Sequence, residues 1–196
     1  MNDKIFNTFI KLIKRELKIS SPYKFSEELF RYLLYKSLLL NNYKDHEIKF
    51  EFSDNISKRI DLYISRNQIS IEIKFHRELK DKGNNNSKRS ILKNLGRVLS
   101  DLFKLGEWEN GKKYFLYIID DWFFKKLEKK LDFLLKEDSK EEIDKDIIIN
   151  KYNNKKTINQ YIERYNDKTI NIKKIYYRSL KIDEKKYLKI YLYEIK

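Results

Sequence analysis

The stretch that decides the fold is Lys58–Phe75, with the sequence KRIDLYISRNQISIEIKF. Apolar and polar residues alternate on both sides of Arg66–Asn67, a pattern typical of two half-buried antiparallel strands joined by a tight turn. A two-residue turn at Arg66–Asn67 and a four-residue loop over 65–68 predict the same register, which pairs Leu62 with Ile71 and Ile60 with Ile73 on one apolar face. A slip of one residue would set apolar positions against polar ones, so the alternation favours this register.

The same register brings charged residues together on the second face of the hairpin. Asp61 falls opposite Glu72, and Arg59 falls opposite Lys74. Directly paired residues have Cβ atoms about 5 Å apart, and two carboxylates at that distance repel each other. A cation between them removes the repulsion, and ligands that offer only oxygen favour Mg²⁺ or Mn²⁺. The hairpin therefore predicts a divalent metal site, with the ammonium of Lys74 beside it to position a water molecule and stabilise negative charge.

An Asp in an apolar strand, a short hairpin and then Glu72–Ile73–Lys74 resembles the core motif of the PD-(D/E)XK nucleases. The resemblance implies a restriction-endonuclease-like core in which Asp61 and Glu72 bind the catalytic metal and Lys74 assists the attacking water. Ile73, which can offer only its backbone, is implied as a further metal ligand. Glu-Ile-Lys also occurs at Glu47–Lys49 and Glu194–Lys196, but the middle copy alone faces an Asp across a predicted hairpin.

The resemblance extends to the helices on either side of the hairpin. Family members often add an acidic metal ligand from the preceding helix, and Glu27 is preferred to Glu28 because its helical spacing turns it toward the sheet. Polar residues from the following helix also join the site. Substrate binding is predicted for Arg97 and Lys104 from this helix, and for His76 because it follows the motif on the same face as Lys74. The alternatives are a surface position without function for His76 and a surface salt bridge between Arg97 and Asp101.

The pattern of apolar residues predicts the remaining elements. Helices are expected over 4–18, from Pro22 or a Ser26 N-cap to about Leu40, and over 90–105, 122–136 and 156–165. Strands are expected over 47–53, 58–65, 68–75, 113–119, 169–177 and 187–195, with a short one at 147–149 and a basic, Asn-rich loop over 79–90. This order predicts an α/β fold with a mixed central sheet flanked by helices. A single domain over 1–196 is expected, with its core over about 22–136 and an extension of open role over 137–196.

Composition narrows the classes of function. The chain has no Cys and two His, which excludes disulfides and thiolate metal sites and suits a reducing compartment. The formal net charge of +14 favours a polyanionic partner. Richness in Lys, Asn, Ile and Tyr also fits an AT-rich coding sequence, so the charge alone does not identify nucleic acid. No apolar run approaches the roughly 20 residues of a membrane span, so a soluble, cytoplasmic protein is expected.

By resemblance, the predicted activity is that of a metal-dependent endonuclease hydrolysing phosphodiester bonds. DNA is favoured over RNA as the substrate, in restriction or in defence against phage, and double-strand breaks would call for a homodimer presenting two sites. Two alternatives stay open at this point. One is an RNA endonuclease on the same core, and the other is a catalytically inactive module that binds nucleic acid or supports an assembly.

Overall fold

The computed structural model describes residues 2–20, 24–55, 58–77, 88–109, 111–135, 140–152, 155–167, 169–184 and 186–196. Within these ranges a mixed seven-stranded sheet is flanked by helices, so the chain has the predicted α/β fold. The helices are α1 Asp3–Ile19, α2 Glu27–Leu39, α3 Lys88–Gly106, α4 Asp121–Leu127, α5 Asp132–Leu135, α6 Lys145–Lys151 and α7 Lys155–Ile162. The strands are β1 Ile48–Asn55, β2 Lys58–Ile64, β3 Ile69–His76, β4 Lys112–Asp120, β5 Lys140–Asp144, β6 Thr169–Asp183 and β7 Lys186–Ile195.

The strands follow the order β1-β2-β3-β4-β7-β6-β5 across the sheet. Strands β3 and β4 are parallel, with α3 in the connection between them, and the other neighbouring pairs are antiparallel. Tyr114–Ile119 of β4 is buried throughout, which confirms the predicted central strand. The C-terminal segment, whose role the sequence left open, supplies three of the seven strands and joins the sheet through the pairing of β7 with β4.

Two apolar layers enclose the sheet. Alternation along β3 directs Ile69, Ile71 and Ile73 into the layer beneath α1 and α2. Alternation along β4 directs Phe115 and Tyr117 into the opposite layer, beneath α3. Between Ile69 and His76, the polar positions of β3 therefore point to the α3 side. Within the described ranges, no helix combines the length and the apolar character that crossing a bilayer requires.

Helix α2 begins where its capping residue predicts. The hydroxyl of Ser26 accepts a hydrogen bond from the N–H of Leu29 at 3.2 Å, which satisfies one of the free donors of the first turn. Phe25 and Phe30 pack edge to face across the cap with their centroids 5.6 Å apart, as a hydrophobic staple does. The start of the helix at Ser26 is therefore confirmed, and Glu27 becomes its first residue.

Two predicted elements differ from the observed ones, and one observed strand, β5, was not predicted. Residues 147–149 lie in α6 and not in a strand, because Asp144 accepts from the N–H of Ile147 at 2.9 Å and caps a helix there. The helix predicted over 122–136 consists of α4 and α5, two shorter helices. Residues 79–87 of the predicted loop lie outside the described residues, and 88–90 already belong to α3.

Candidate metal and catalytic site

The β2–β3 hairpin has the predicted register over its paired part, but the ladder ends at Leu62 and does not include the predicted pairs of Asp61 with Glu72 and of Arg59 with Lys74. Backbone pairing joins Leu62 with Ile71, Tyr63 with Ser70 and Ile64 with Ile69. A short 3₁₀ turn, Ser65–Asn67, connects the strands, followed by Gln68 in a left-handed conformation with φ of 49°. The connection is thus the four-residue loop over 65–68. This pairing brings Asp61 of β2 and Glu72–Lys74 of β3 to the same end of the hairpin, beyond its paired part.

Beyond this ladder, two carboxylates bind the backbone edge of β3. The N–H of Ile73 donates to Asp61 Oδ2 at 2.8 Å, and the N–H of Phe75 donates to Glu27 Oε2 at 2.9 Å. The N–H and C=O of one strand residue point to the same edge of the strand. The carbonyl of Ile73 therefore faces the same side as the Asp61 carboxylate. Two oxygen atoms that bind one metal ion must face the same side.

The alternation of side chains along β2 breaks at Asp61, and this corrects one prediction. Ile60 was expected to share the face of Leu62 and to face Ile73, but Ile60 is buried beneath α3 and Leu62 beneath α1 and α2. On the neighbouring strand, Glu51 has φ of 46°, an uncommon conformation for a residue with a side chain. The phenylalanines on either side of Glu51 pair with Leu62 and Ile60 and likewise pack on opposite layers. Strain of this kind is concentrated at functional sites.

The carboxylate of Asp61 also binds a cation from α2. Arg31 Nη2 lies 2.6 Å from Asp61 Oδ1, and Arg31 Nη1 lies 3.4 Å from Glu51 Oε1. Sequence analysis missed Arg31. The signal was present, because Arg31 follows Glu27 by four residues and therefore lies on the same face of the helix.

Glu72 is the most buried carboxylate of the site. Its side chain points to the α3 layer, only 4% of the residue is exposed, and Lys104 Nζ lies 2.5 Å from Oε1. Burial raises the pKa of Glu72 well above its ordinary value, helped by the negative charges of Asp101 and Asp61 and opposed by Lys104. The second oxygen, Oε2, is buried and accepts no hydrogen bond within the described part of the chain. Glu72 therefore has a free acceptor inside the cluster.

Lys74 is held between carboxylates from two helices. Its Nζ lies 3.0 Å from Asp101 Oδ2 on α3 and 3.3 Å from Glu27 Oε2 on α2. Burial opposes the charged form, but the carboxylates of Asp101 and Glu27 outweigh it and raise the pKa of Lys74. Lys74 is therefore an ammonium at neutral pH. The preference for Glu27 as the glutamate facing the sheet is confirmed, because Glu28 is exposed to solvent.

Helix α3 contributes charged side chains to the site, but they pair differently from the prediction. Asp101 binds Lys74, and it also lies 3.8 Å from Lys104, so the salt bridge predicted with Arg97 is wrong. Arg97 is exposed, and the Lys104 ammonium rests on Glu72. Contacts of Arg97 and Lys104 with substrate stay predictions.

These residues form one cluster built from two sets of ion pairs. Lys74 and Lys104 link Glu27, Asp101 and Glu72, whereas Arg31 pairs with Asp61 and Glu51. Among the described residues, no three His, Cys, Asp or Glu side chains gather closely enough to hold an ion alone. Mg²⁺ commonly takes only one or two carboxylates and completes its shell with water and phosphate. Asp61, the unpartnered oxygen of Glu72 and the carbonyl of Ile73 fit that requirement. Glu27 as a ligand stays a prediction.

His76 is part of the core beneath α4. Only 7% of the residue is exposed, Nδ1 lies 3.0 Å from the hydroxyl of Tyr117, and the ring stacks on Phe123 at 5.3 Å. The surface position considered for His76 is therefore wrong, and its contact with substrate stays a prediction. Burial lowers the pKa of His76 to about 3, with the charges of Lys74 and Arg97 acting in the same direction.

The burial of His76 predicts a loss of stability in acid. The unfolded histidine has a pKa of 6.5 and the folded one about 3, so the unfolded chain binds the proton first as the pH falls. The free energy of unfolding then decreases below about pH 6.5, by at most about 1.4 kcal/mol per pH unit from this group. Urea unfolding at pH 7 and pH 5 should show that His76→Gln removes this component. His46→Gln, at the exposed histidine, is the control, and equal pH dependence in the wild type and His76→Gln would refute the expectation.

Comparison of the chain with protein-family models, with curated proteins and with solved structures finds no match. The likeness to the PD-(D/E)XK nucleases therefore rests on the hairpin and the helices around it. The chemistry of those side chains has to carry any functional conclusion.

Proposed function

We propose that this chain is a metal-dependent endonuclease of the PD-(D/E)XK type, which hydrolyses phosphodiester bonds in DNA with Mg²⁺ or Mn²⁺. One observation carries the proposal. The N–H of Ile73 donates to Asp61 Oδ2 at 2.8 Å, so the Asp61 carboxylate lies against the β3 residue between Glu72 and Lys74. The unpartnered oxygen of Glu72 supports it further, since a buried acceptor without a donor is costly unless a ligand uses it.

The metal would be held by Asp61, Glu72 and the carbonyl of Ile73. When bound, it would supply Lewis-acid stabilisation of the phosphate charge and a water of lowered pKa. Lys104 holds Oε1 of Glu72 and would leave Oε2 for the metal, so the ion pair positions the carboxylate.

Lys74 acts as a charged hydrogen-bond donor in this proposal. Its carboxylate neighbours keep it protonated, so it does not take the proton of the attacking water. It orients that water or binds the developing negative charge on the phosphate. Asp101 and Glu27 position Lys74 from two helices, and buried pairs of this kind hold a side chain in one geometry.

The substrate class follows from charge and from the resemblance. A formal net charge of +14 favours a nucleic acid, whose condensed counterions are released when basic side chains bind it. The family resemblance favours DNA and a role in restriction or in phage defence. A double-strand break would use two copies of the chain, each with one site.

A panel of substrates tests the proposal. Plasmid, linear duplex, single-stranded DNA and matched RNA are incubated with the chain in Mg²⁺, in Mn²⁺ and in EDTA. We expect cleavage of DNA that requires either metal and stops in EDTA. Faster cleavage of RNA than of DNA would favour an RNA endonuclease on the same core, and no cleavage of any substrate would refute the proposal.

One observation favours a second candidate, the inactive binding module. Asp61 and Glu27 satisfy the N–H groups of Ile73 and Phe75, and the ion pairs neutralise most of the cluster, as a purely structural network would. A binding module would retain affinity for oligonucleotides and show no cleavage in any metal. The substrate panel, run beside a binding assay, separates the two.

A further inference from the structure

A second site lies between α4, α5 and the strands β6 and β7. It is a cavity of about 810 Å³, within the range of pockets that bind small organic ligands. Its lining combines aromatic rings with charge, and it includes Phe124, Tyr177 and Tyr191 together with three lysines and two acids. None of these residues belongs to the carboxylate cluster around Glu72.

Lys189 provides a cation without a carboxylate partner. Its Nζ lies 3.1 Å from the centroid of the Phe124 ring, and within the described ranges no carboxylate comes within ion-pair distance. Burial lowers the pKa of Lys189, although the more distant carboxylates of Asp121 and Glu128 act against this shift. The other cavity lysines are Lys129 and Lys174, and one of the two acids, Asp132, is paired with Lys151 at 2.7 Å. An anionic group would complete the surroundings of Lys189.

Tyr177 is the accessible ring of the aromatic lining, and it packs against Tyr191, of which only 3% is exposed. Tyr177 is 38% exposed, and its ring lies 4.9 Å from that of Tyr191 with an interplanar angle of 33°. An irregularity between Lys174 and Tyr176 shifts the register of β6 by one residue. Because of that bulge, Lys174 and Tyr177 lie opposite Tyr193 and Tyr191, which share one face of β7. Rings on one side and ammonium groups on the other fit a nucleotide.

The cavity lies on the same face of the sheet as Lys74. Cross-strand pairing aligns four residues on neighbouring strands, in the order Lys74, Tyr117, Tyr191 and Tyr177. Neighbouring strands are about 4.8 Å apart, so Tyr177 is roughly 14 Å from Lys74 along this row. A stacked nucleic-acid strand rises about 3.4 Å per nucleotide and would span that distance in about four nucleotides. Tyr117 and Tyr191 are buried, so a strand joining the two places would run over the surface above this row and needs at least that many nucleotides.

We infer that this cavity binds one nucleotide of the strand that the proposed nuclease cuts, with the base against Tyr177 and Tyr191 and the phosphate at Lys189. The inference rests on the proposed function for the identity of the strand. The cavity's own chemistry, rings beside an unpaired ammonium, specifies the ligand class as a nucleotide unit. The site adds affinity at a distance from the scissile bond and leaves the chemical step unchanged.

Binding of fluorescein-labelled single-stranded oligonucleotides to the full chain in EDTA tests the inference. Lys189→Ala and Tyr177→Ala should each weaken binding roughly ten-fold, the factor expected for one phosphate contact or one stacked base. Lys189→Ala alone should lower the slope of log Kd against log salt, by about 0.7. The matched controls are Lys181→Ala and Tyr187→Ala, which change exposed residues of the same two strands outside the cavity. They should leave Kd within about two-fold.

Competition by a free mononucleotide distinguishes a strand subsite from a site for small nucleotides. Weak competition supports the inference, and competition as strong as that of the oligonucleotide overturns it. Equal weakening by cavity and control variants, or no binding by the wild type, also overturns it. Failure of this inference and failure of the proposed function can be told apart, because the binding assay contains no metal. If the chain never cleaves but the cavity variants bind more weakly, only the proposed function fails. If cleavage depends on Glu72 but the cavity variants bind normally, only this inference fails.

Discussion

Substituting Glu72 by glutamine is expected to reduce metal-dependent cleavage at least about a thousand-fold while leaving the fold intact. The amide has the size of the carboxylate and can still accept a hydrogen bond from Lys104, but it is a poor ligand for Mg²⁺. Burial already raises the pKa of Glu72, so its charged form is costly in the folded protein. The loss of the Lys104 ion pair opposes this gain, so the thermal midpoint of Glu72→Gln should stay close to that of the wild type. A residue kept only for an ion pair would show the opposite pattern.

The chain contains its own matched control for Glu72→Gln. Glu194 is the first residue of another Glu-Ile-Lys tripeptide, in β7, opposite Tyr114. Initial rates on plasmid DNA in Mn²⁺ should be unchanged in Glu194→Gln. Cleavage by Glu72→Gln at the wild-type rate would mean that the site is assigned wrongly, even if the chain is a nuclease.

The second large effect is expected for Lys74. Lys74→Met should lower the single-turnover rate of cleavage by about 100- to 1000-fold, because a protonated donor beside the reacting phosphate is lost. Metal affinity should be retained or increased, since the substitution removes a positive charge next to the carboxylates. Measurement of the rate at saturating Mn²⁺, together with the Kd for Mn²⁺, separates the two effects.

Loss of Lys74 also leaves Asp101 and Glu27 without their shared cation, which threatens stability. Lys74→Arg keeps the charge and should fold like the wild type, yet cleave at least about ten-fold more slowly because a guanidinium places its donors differently. Lys196→Met, at the lysine of the C-terminal tripeptide, is the control. Wild-type rates in both Lys74 variants would contradict the assigned role.

The parts of the fold that depend on local pattern could be predicted from the sequence. Strict alternation fixed the register of Leu62 and Ile71, because any slip would have exposed the apolar face. Ser26 followed by Glu27 marked the start of α2 through a capping preference that acts over three residues. Lys104 was predicted to join the site from the helix that follows, but its ion pair with Glu72 was not predicted.

The parts of the fold that depend on competing or distant interactions could not be predicted from the sequence. Ile147–Ile149 is as apolar as a buried strand, and only the cap from Asp144 decides for a helix. The change of face between Ile60 and Leu62 accompanies a left-handed Glu51 on the neighbouring strand, which the β2 sequence does not encode. Arg31 reaches Asp61 across the interface between a helix and the sheet, a contact that depends on tertiary packing.

If Asp61 and Glu72 share one divalent ion, calorimetric titration of the full chain with Mn²⁺ should detect it. We expect one Mn²⁺ per chain in the wild type and in Glu194→Gln, and binding at least about ten-fold weaker in Asp61→Asn and in Glu72→Gln. The same affinity in all four proteins, or no binding by the wild type, would contradict this expectation.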